Sequence, residues 1–246
     1  MNTLPKPFYN PRQNHLLAAL SASDRERLAP DLKLVHLQRG QVLCDAGATP
    51  THVYFPITAI VSLLHISFSG GTSEIAVVGN EGVVGMSLFS AGGVELEQTR
   101  VQTTGASYRL GARIAKEENC RSGQILATLL NYAHALMAQM AQTAIYTKHH
   151  SLEQQLCRRL LMGLDRLTSD EMEMTHEVLG DLLGVRRESV TNIALKLQQA
   201  GVIRYSRGHI AVLDRERLEQ HASGDFSPVH GTLRVSRAAS VMQCAA

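Results

Sequence analysis

Nowhere in this sequence do cysteines stand close enough together to share a metal. Cys44, Cys120, Cys157 and Cys244 are widely separated and form no C-x-x-C pair, so the spacing of a zinc or iron–sulfur site is missing and four reduced thiols are expected. Long hydrophobic runs are missing too. The most apolar stretch, Ile125 to Ile145, is interrupted by Asn131, His134, Gln139 and Gln142, which is too polar for a bilayer span. The opening MNTLPKPFYNPRQNH carries three prolines and no apolar segment of the kind that directs secretion. A cytoplasmic protein without a membrane partner is therefore expected. Charge of one sign is scarce: the net charge is only +2, so any nucleic-acid surface must come from local clustering of basic residues, and these gather towards the C-terminal end. Metal-enzyme patterns are also lacking. His36, His52 and His65 stand alone on separate segments, with no H-x-H pair and trailing Glu, so no catalytic residue, metal or cofactor is expected. The glycines of Gly79-Asn-Glu-Gly-Val-Val-Gly85 lack the strand–turn–helix context of a dinucleotide site and read as turn residues.

What is present suits two domains. The chain has 246 residues, of which 44% are hydrophobic, enough to bury a sizeable core. After an extended arm, Leu16, Leu17, Leu20 and Leu28 mark an amphipathic helix over His15–Leu28. From Leu32 the pattern shifts to short β-branched and apolar segments separated by turn residues: LKLVHL, QVLC, HVYF, AIVSLLHISF, SEIAVV, VVGMSLF, TRVQTT and SYRL. About eight short strands with glycine-rich turns describe an antiparallel sandwich or jelly-roll barrel.

Helical periodicity returns after Arg113. From Gln124 to His149 neither proline nor glycine intervenes, giving a helix roughly 39 Å long. Ile125, Leu129, Tyr132, Leu136 and Met140 trace a near-heptad seam flanked by Leu126, Leu130, Ala133, Met137 and Ala144. That seam either makes a two-stranded homodimer interface or buries the helix on its own barrel; the dimer is the favoured expectation. Ser151–Leu167 opens a further helical domain, with Leu152, Leu156, Leu160 and Leu164 as core.

Within that domain MTHEVLGDLLGVRRESVTNIALKLQQAGVI predicts two helices and a tight turn. Thr175 caps the first helix, Glu177 suits its positive end, Val178, Leu179, Leu182 and Leu183 recur at helical spacing, and Gly184 closes it. In the second, Val190, Ile193, Ala194 and Leu197 fall at i, i+3, i+4 and i+7 and pack inward, leaving Arg187, Glu188, Thr191 and Asn192 outward. Arg, Glu and Asn are side chains that discriminate base edges in the major groove, and they stand at the end by which a recognition helix meets the bases. Ile203 and Tyr205 then alternate with Arg204 and Ser206, Arg207-Gly208 turns the chain, and His209, Ile210 and Val212 return: a hairpin, or wing.

These residues resemble the winged helix-turn-helix of the CRP/FNR family of bacterial transcription regulators, whose recognition helix begins with an R-E-[ST]-V run, here Arg187-Glu188-Ser189-Val190. Arg186 stands where the family commonly has a capping Ser, and Asn192 where it often has Arg. The resemblance implies an α+β fold: an N-terminal antiparallel β jelly-roll of the cyclic-nucleotide-binding type, a long dimerisation helix and a C-terminal winged helix-turn-helix. The expected segments are an arm (1–14), the effector-type barrel (15–121), the dimerisation helix (122–149), the DNA-binding domain (150–221) and a flexible tail (222–246) carrying Arg234 and Arg237. The expected DNA-binding residues are Arg186, Arg187, Glu188, Ser189, Thr191, Asn192, Arg207 and His209. Expected partners are double-stranded DNA, a second copy of the chain, RNA polymerase and an unknown small-molecule effector.

Family members that bind cyclic nucleotide use a G-E-L run and an R-[ST]-A segment. The matching region here, Gly82 to Phe89, has no such Glu; Leu96 occupies the phosphate-binding Arg position; and Met140 and Ala141 fall where adenine is held. Cyclic AMP is therefore not the expected effector, and Gly82, Gly85, Met86, Ser87, Arg100 and Met140 are the candidates for a different pocket. The cysteine-ligated cluster of oxygen-sensing members is missing, and a haem would have only the isolated His65 or Cys44 as axial ligand. The alternative to DNA reading is a barrel-centred binding module whose C-terminal domain serves as a partner platform.

Overall fold

The computed structural model describes residues 9–67, 70–167 and 169–222. The first eight residues of the arm, and the tail from residue 223 with Arg234, Arg237 and Cys244, lie outside the described residues. Two short helices, α1 (His15–Ala19) and α2 (Ala22–Leu28), replace the single helix expected over His15–Leu28. The break falls at Ser21, whose backbone is extended and whose hydroxyl accepts from Asp24 N, starting a second helix. Asn14 caps α1 through Oδ1 and donates through Nδ2 to Pro56 O and Gly82 O, which fixes the helix to the barrel.

Seven strands build that barrel: β1 (Lys33–Leu37), β2 (Val42–Cys44), β3 (His52–Pro56), β4 (Ile60–Ile66), β5 (Thr72–Val78), β6 (Gln98–Thr103) and β7 (Gly105–Gly111). They form two antiparallel sheets, β1-β7-β3 and β2-β6-β4-β5. Alternation along the strands puts Val53, Phe55, Val61, Leu63, Val101, Tyr108 and Leu110 into one apolar core. The strand expected over VVGMSLF does not form. Val84 makes an isolated antiparallel bridge to Tyr54, and the chain then turns at Gly85 (φ 94°) into a 3-10 helix, Met86–Phe89.

Helix α3 (Ala112–Arg121) leads to α4 (Gly123–His149), 27 residues long. The seam expected at a dimer interface faces the chain's own barrel: Ile125, Leu129 and Tyr132 are buried in the barrel core, and Leu136 and Met140 pack against it. Those five side chains are therefore occupied within one chain. Exposed on the same helix are Leu126, Leu130, Met137 and Ile145, with 42, 61, 60 and 55% of their surface accessible. Both faces of α4 are apolar, so periodicity alone does not say which one the barrel takes. The docking is also polar: Gln139 closes the β5 edge, accepting from Val77 N at 2.7 Å and donating to Val77 O at 3.2 Å.

The C-terminal part comprises α5 (Leu152–Leu164), β8 (Glu171–Glu173), α6 (His176–Leu183), α7 (Arg187–Gln199), β9 (Ile203–Ser206), β10 (His209–Val212) and α8 (Arg215–His221). Helix order therefore continues through His221, and Ala222 is buried. A second apolar cluster unites Leu156, Leu160, Leu179, Val190, Leu197 and Ile210. It meets the barrel through Leu64 and through a small patch of Ile60, Val77 and Met162. Two buried ion pairs cross the same junction: Arg166 Nη2 lies 2.7 Å from Glu81 Oε1, and Arg159 Nε lies 2.5 Å from Glu74 Oε1. No helix of the described residues is long and apolar enough to cross a membrane.

Candidate nucleic-acid interface

Helix α6 starts at Thr175, whose hydroxyl accepts from Val178 N, and ends at Gly184 in the left-handed region (φ 67°). The turn is tight because Gly180 has no side chain: a Cβ there would stand 2.8 Å from Val185 O, while Val185 N donates to Gly180 O at 2.9 Å. Gly180 is a site residue that sequence reasoning passed over; a glycine inside a helical pattern, four residues before the closing glycine, was the available signal.

Helix α7 is anchored by Val190, Ala194 and Leu197, all buried, with Ile193 half-buried. Arg186 occupies the N-cap with extended backbone and no side-chain capping bond, which leaves N–H groups at that helix end directed outward. Arg186, Arg187, Glu188 and Asn192 are exposed and Ser189 is half-buried. Among the described residues no carboxylate pairs with Arg186, Arg187 or Arg207. These guanidiniums are exposed near the positive end of α7 and at the wing, with Glu188 the acidic residue of the first turn of α7.

Thr191 departs from the expectation of a free, outward side chain. Its hydroxyl donates to Arg187 O at 3.0 Å and lies 3.0 Å from His176 Nδ1. His176 in turn stacks on the wing residue Tyr205, with ring centroids 3.9 Å apart. Burial, with the Arg187 charge second, holds the His176 pKa below the usual histidine value. The first helix, the recognition helix and the wing are thus joined through one neutral, buried imidazole.

The wing is a two-residue hairpin in which Ser206 pairs with His209 and Tyr205 with Ile210. Arg207 (φ 50°) and Gly208 (φ 83°) both take positive φ, the geometry of the tight hairpin turn that matches strand twist. Arg207 and His209 are exposed at its tip. Tyr205 N donates to Gln198 Oε1 of α7 at 2.9 Å, and β8 adds a third strand through Met172 opposite Ile210.

The six candidates for an effector pocket have these surroundings in the structure. Gly82 is packed so closely against Tyr132 that a Cβ would overlap the phenol ring. Gly85 shapes the turn into the 3-10 helix that contains Met86 and Ser87, and Met86 and Met140 pack partly against the barrel core. Arg100 pairs with Ser62 across β6 and β4 and shares its face, opposite the inward Val101. Its guanidinium donates to Gln98 Oε1 instead of entering the barrel. Leu96, at the family's phosphate-binding position, is 82% exposed.

Residues 154–221 match the family described as the Crp-like helix-turn-helix domain. Similar solved structures include a CRP/FNR-family regulator from Eubacterium rectale, at 18% identity and a TM-score of 0.68, covering 86% of this chain and 99% of that one. FixK2 from Bradyrhizobium japonicum aligns at 14% identity and a TM-score of 0.66, covering 77% of this chain and 96% of that one. A CRP-family regulator from Thermus thermophilus aligns at 17% identity and a TM-score of 0.66, covering 79% and 98%. No curated protein sequence matches the chain. Residues 154–221 thus form a Crp-like helix-turn-helix domain, carried on a fold shared with these regulators.

Proposed function

We propose that this chain works as a homodimer that reads a palindromic operator through two copies of α7 and is set by something other than cyclic AMP. The observation that carries the reading is the end of α7: Arg187, Glu188 and Asn192 exposed beside an uncapped helix N-terminus, with Arg207 and His209 at the wing tip. Arg187 supplies the donor fork for guanine, Glu188 an acceptor for the cytosine amino group, and Asn192 paired contacts for adenine. Arg186, Arg207 and His209 meet phosphate and fix the register. Ser189 and Thr191 lie lower on the helix and support it.

The dimer interface is the outer face of α4. Leu126, Leu130, Ala133 and Met137 recur at four- and three-residue steps, the pattern of a two-stranded coiled coil, and exposed leucine and methionine in a continuous stripe mark an interaction surface. Two-fold symmetry about that helix would present the recognition helices to successive major grooves about 34 Å apart. Leu96, where the resemblance would place the phosphate-binding Arg, is apolar and 82% exposed, which supports an effector unlike cyclic AMP. RNA polymerase is the further partner that activation would require, and the cytoplasm is the compartment such a regulator needs.

Selection of bound duplexes from a random pool tests the reading. An inverted repeat with half-sites about one helical turn apart is expected; recovery of unrelated sequences would favour the partner-platform alternative.

A further inference from the structure

Arg158 is buried without a counter-ion. Its residue surface is 8% exposed, it lies in the middle of α5, and among the described residues no carboxylate reaches its guanidinium. What it does have is Gln142, whose Oε1 accepts from Nη2 at 3.3 Å, and the ring of Tyr146, whose centroid lies 4.3 Å from Cζ. That ring is held in turn by stacking on His150 at 4.0 Å. A guanidinium carries five N–H donors and does not give up its proton, so one amide and one ring face leave most of its hydrogen-bonding capacity unused. Burial also depresses its pKa, consistent with a charge short of compensation.

The side chain borders a cleft with about 550 Å³ of empty space, including its open mouth, where the barrel, α4, α5 and α6 meet. Two guanidiniums, Arg158 and Arg159, face one carboxylate in this lining, Glu74. Glu74 is already spent: it pairs with Arg159 and accepts from Ser62 Oγ. The cleft therefore keeps one net positive charge; Ser73, Thr143 and Thr147 also line it, the two threonine hydroxyls donating to Gln139 O and Thr143 O of their own helix. An uncompensated cation inside a fold costs several kcal/mol; an oxyanion accepting from Arg158 would recover it through paired charge-assisted bonds.

We propose that this interdomain cleft is a binding site for a small oxyanion, the phosphate or carboxylate group of a metabolite, with Arg158 as its main ligand. The site is separate from the barrel interior and stands apart from the reading of α7. Its walls come from the sensor-like barrel, the long helix and the first helix of the helix-turn-helix, so an occupant touches every part whose relative position sets the DNA-binding domain.

The test is thermal unfolding of the full-length chain against inorganic phosphate and, separately, citrate, at ionic strength matched with sodium chloride. An Arg186→Ala/Arg187→Ala/Arg207→Ala background removes the unpaired arginines of the α7 terminus and the wing tip. A saturable rise in Tm of about 3 °C is expected at high occupancy, and the response to each anion decides between phosphate and carboxylate. Arg158→Met should abolish the rise. If that variant does not fold, Thr143→Asp provides a tethered carboxylate at the cleft wall and should raise Tm without added anion while cancelling the response. No Tm rise with either anion, or an equal rise in Thr143→Asp, would overturn the proposal.

Discussion

His176 Nδ1 stands 3.0 Å from Thr191 Oγ1, and the direction of that bond is fixed by a second one. The single hydroxyl proton of Thr191 is directed to Arg187 O, so Nδ1 must be the donor and the neutral imidazole keeps its lone pair on Nε2. Nε2 is buried and has no partner. Protonation at Nε2 keeps the Nδ1–H donor but buries an N–H without an acceptor, so the neutral imidazole is the favoured form at this joint of α6, α7 and the wing.

A pH dependence follows from this. The folded-state pKa of His176 is below the ordinary 6.5, because burial and then Arg187 disfavour the cation. Between the two values the unfolded chain binds the extra proton, so this contribution is complete above pH 6.5 and is lost as pH falls from there through the folded pKa. His176→Phe, which keeps a ring against Tyr205, should lose this part of the pH dependence in urea melts compared with wild type. His176→Asn retains a donor near the Nδ1 position and should preserve operator affinity better than the Phe variant.

The junction between the barrel and the DNA-binding domain is predicted to be sensitive to half-broken charge pairs. Arg166 and Glu81 are both almost fully buried, with side chains 2 and 4% exposed, and Arg166 also donates to Met162 O at 2.7 Å. Arg166→Met alone leaves a buried carboxylate unpaired and should cost about 3–5 kcal/mol. Adding Glu81→Leu should recover most of that loss. A double-mutant cycle by chemical denaturation gives the coupling; additive losses would show that the pair does not act as a unit.

The two faces of α4 should separate cleanly. Leu129→Ala removes a side chain from the barrel core and should cost about 2–5 kcal/mol with the oligomeric state kept. Leu130→Glu on the exposed face should leave monomer folding intact and abolish dimerisation, measured by sedimentation, with loss of operator binding. A dimer unaffected by Leu130→Glu would move the interface elsewhere.

Gly82 is predicted to matter for packing. Since a Cβ there meets the Tyr132 phenol, Gly82→Ala must displace α4 or its own loop and should destabilise the chain by about 1–3 kcal/mol, seen as a lower denaturation midpoint.

Legibility in the sequence followed the range of the interactions. Thr175, Gly184, and the Val190–Ala194–Leu197 stripe act within one or two helical turns, so periodicity and caps placed the helix-turn-helix nearly residue by residue. Arg207-Gly208 announced its turn for the same reason. Where two local signals compete, the sequence is silent: Ile125 and Leu126 begin equally apolar stripes, and only the barrel decides which is covered. Gly85 hid a turn inside a strand-like run, because Val83, Val84, Leu88 and Phe89 suit either conformation. His176 with Thr191, Arg166 with Glu81, and Arg158 in its cleft depend on chain crossings that no spacing records. Which way Arg100 points depends on its strand's inward face, which the buried Val101 defines.

On this reading α7 contacts the bases while the wing holds the DNA backbone. Binding of Arg187→Ala and Arg207→Ala to the selected operator and to random duplex, across a salt series, tests this most directly. Arg187→Ala should lose about 1–3 kcal/mol on the operator with little change on random DNA, and Arg207→Ala should weaken both and reduce the salt slope by about 1. Equal losses on operator and random DNA for Arg187→Ala would contradict a base-reading role for the recognition helix.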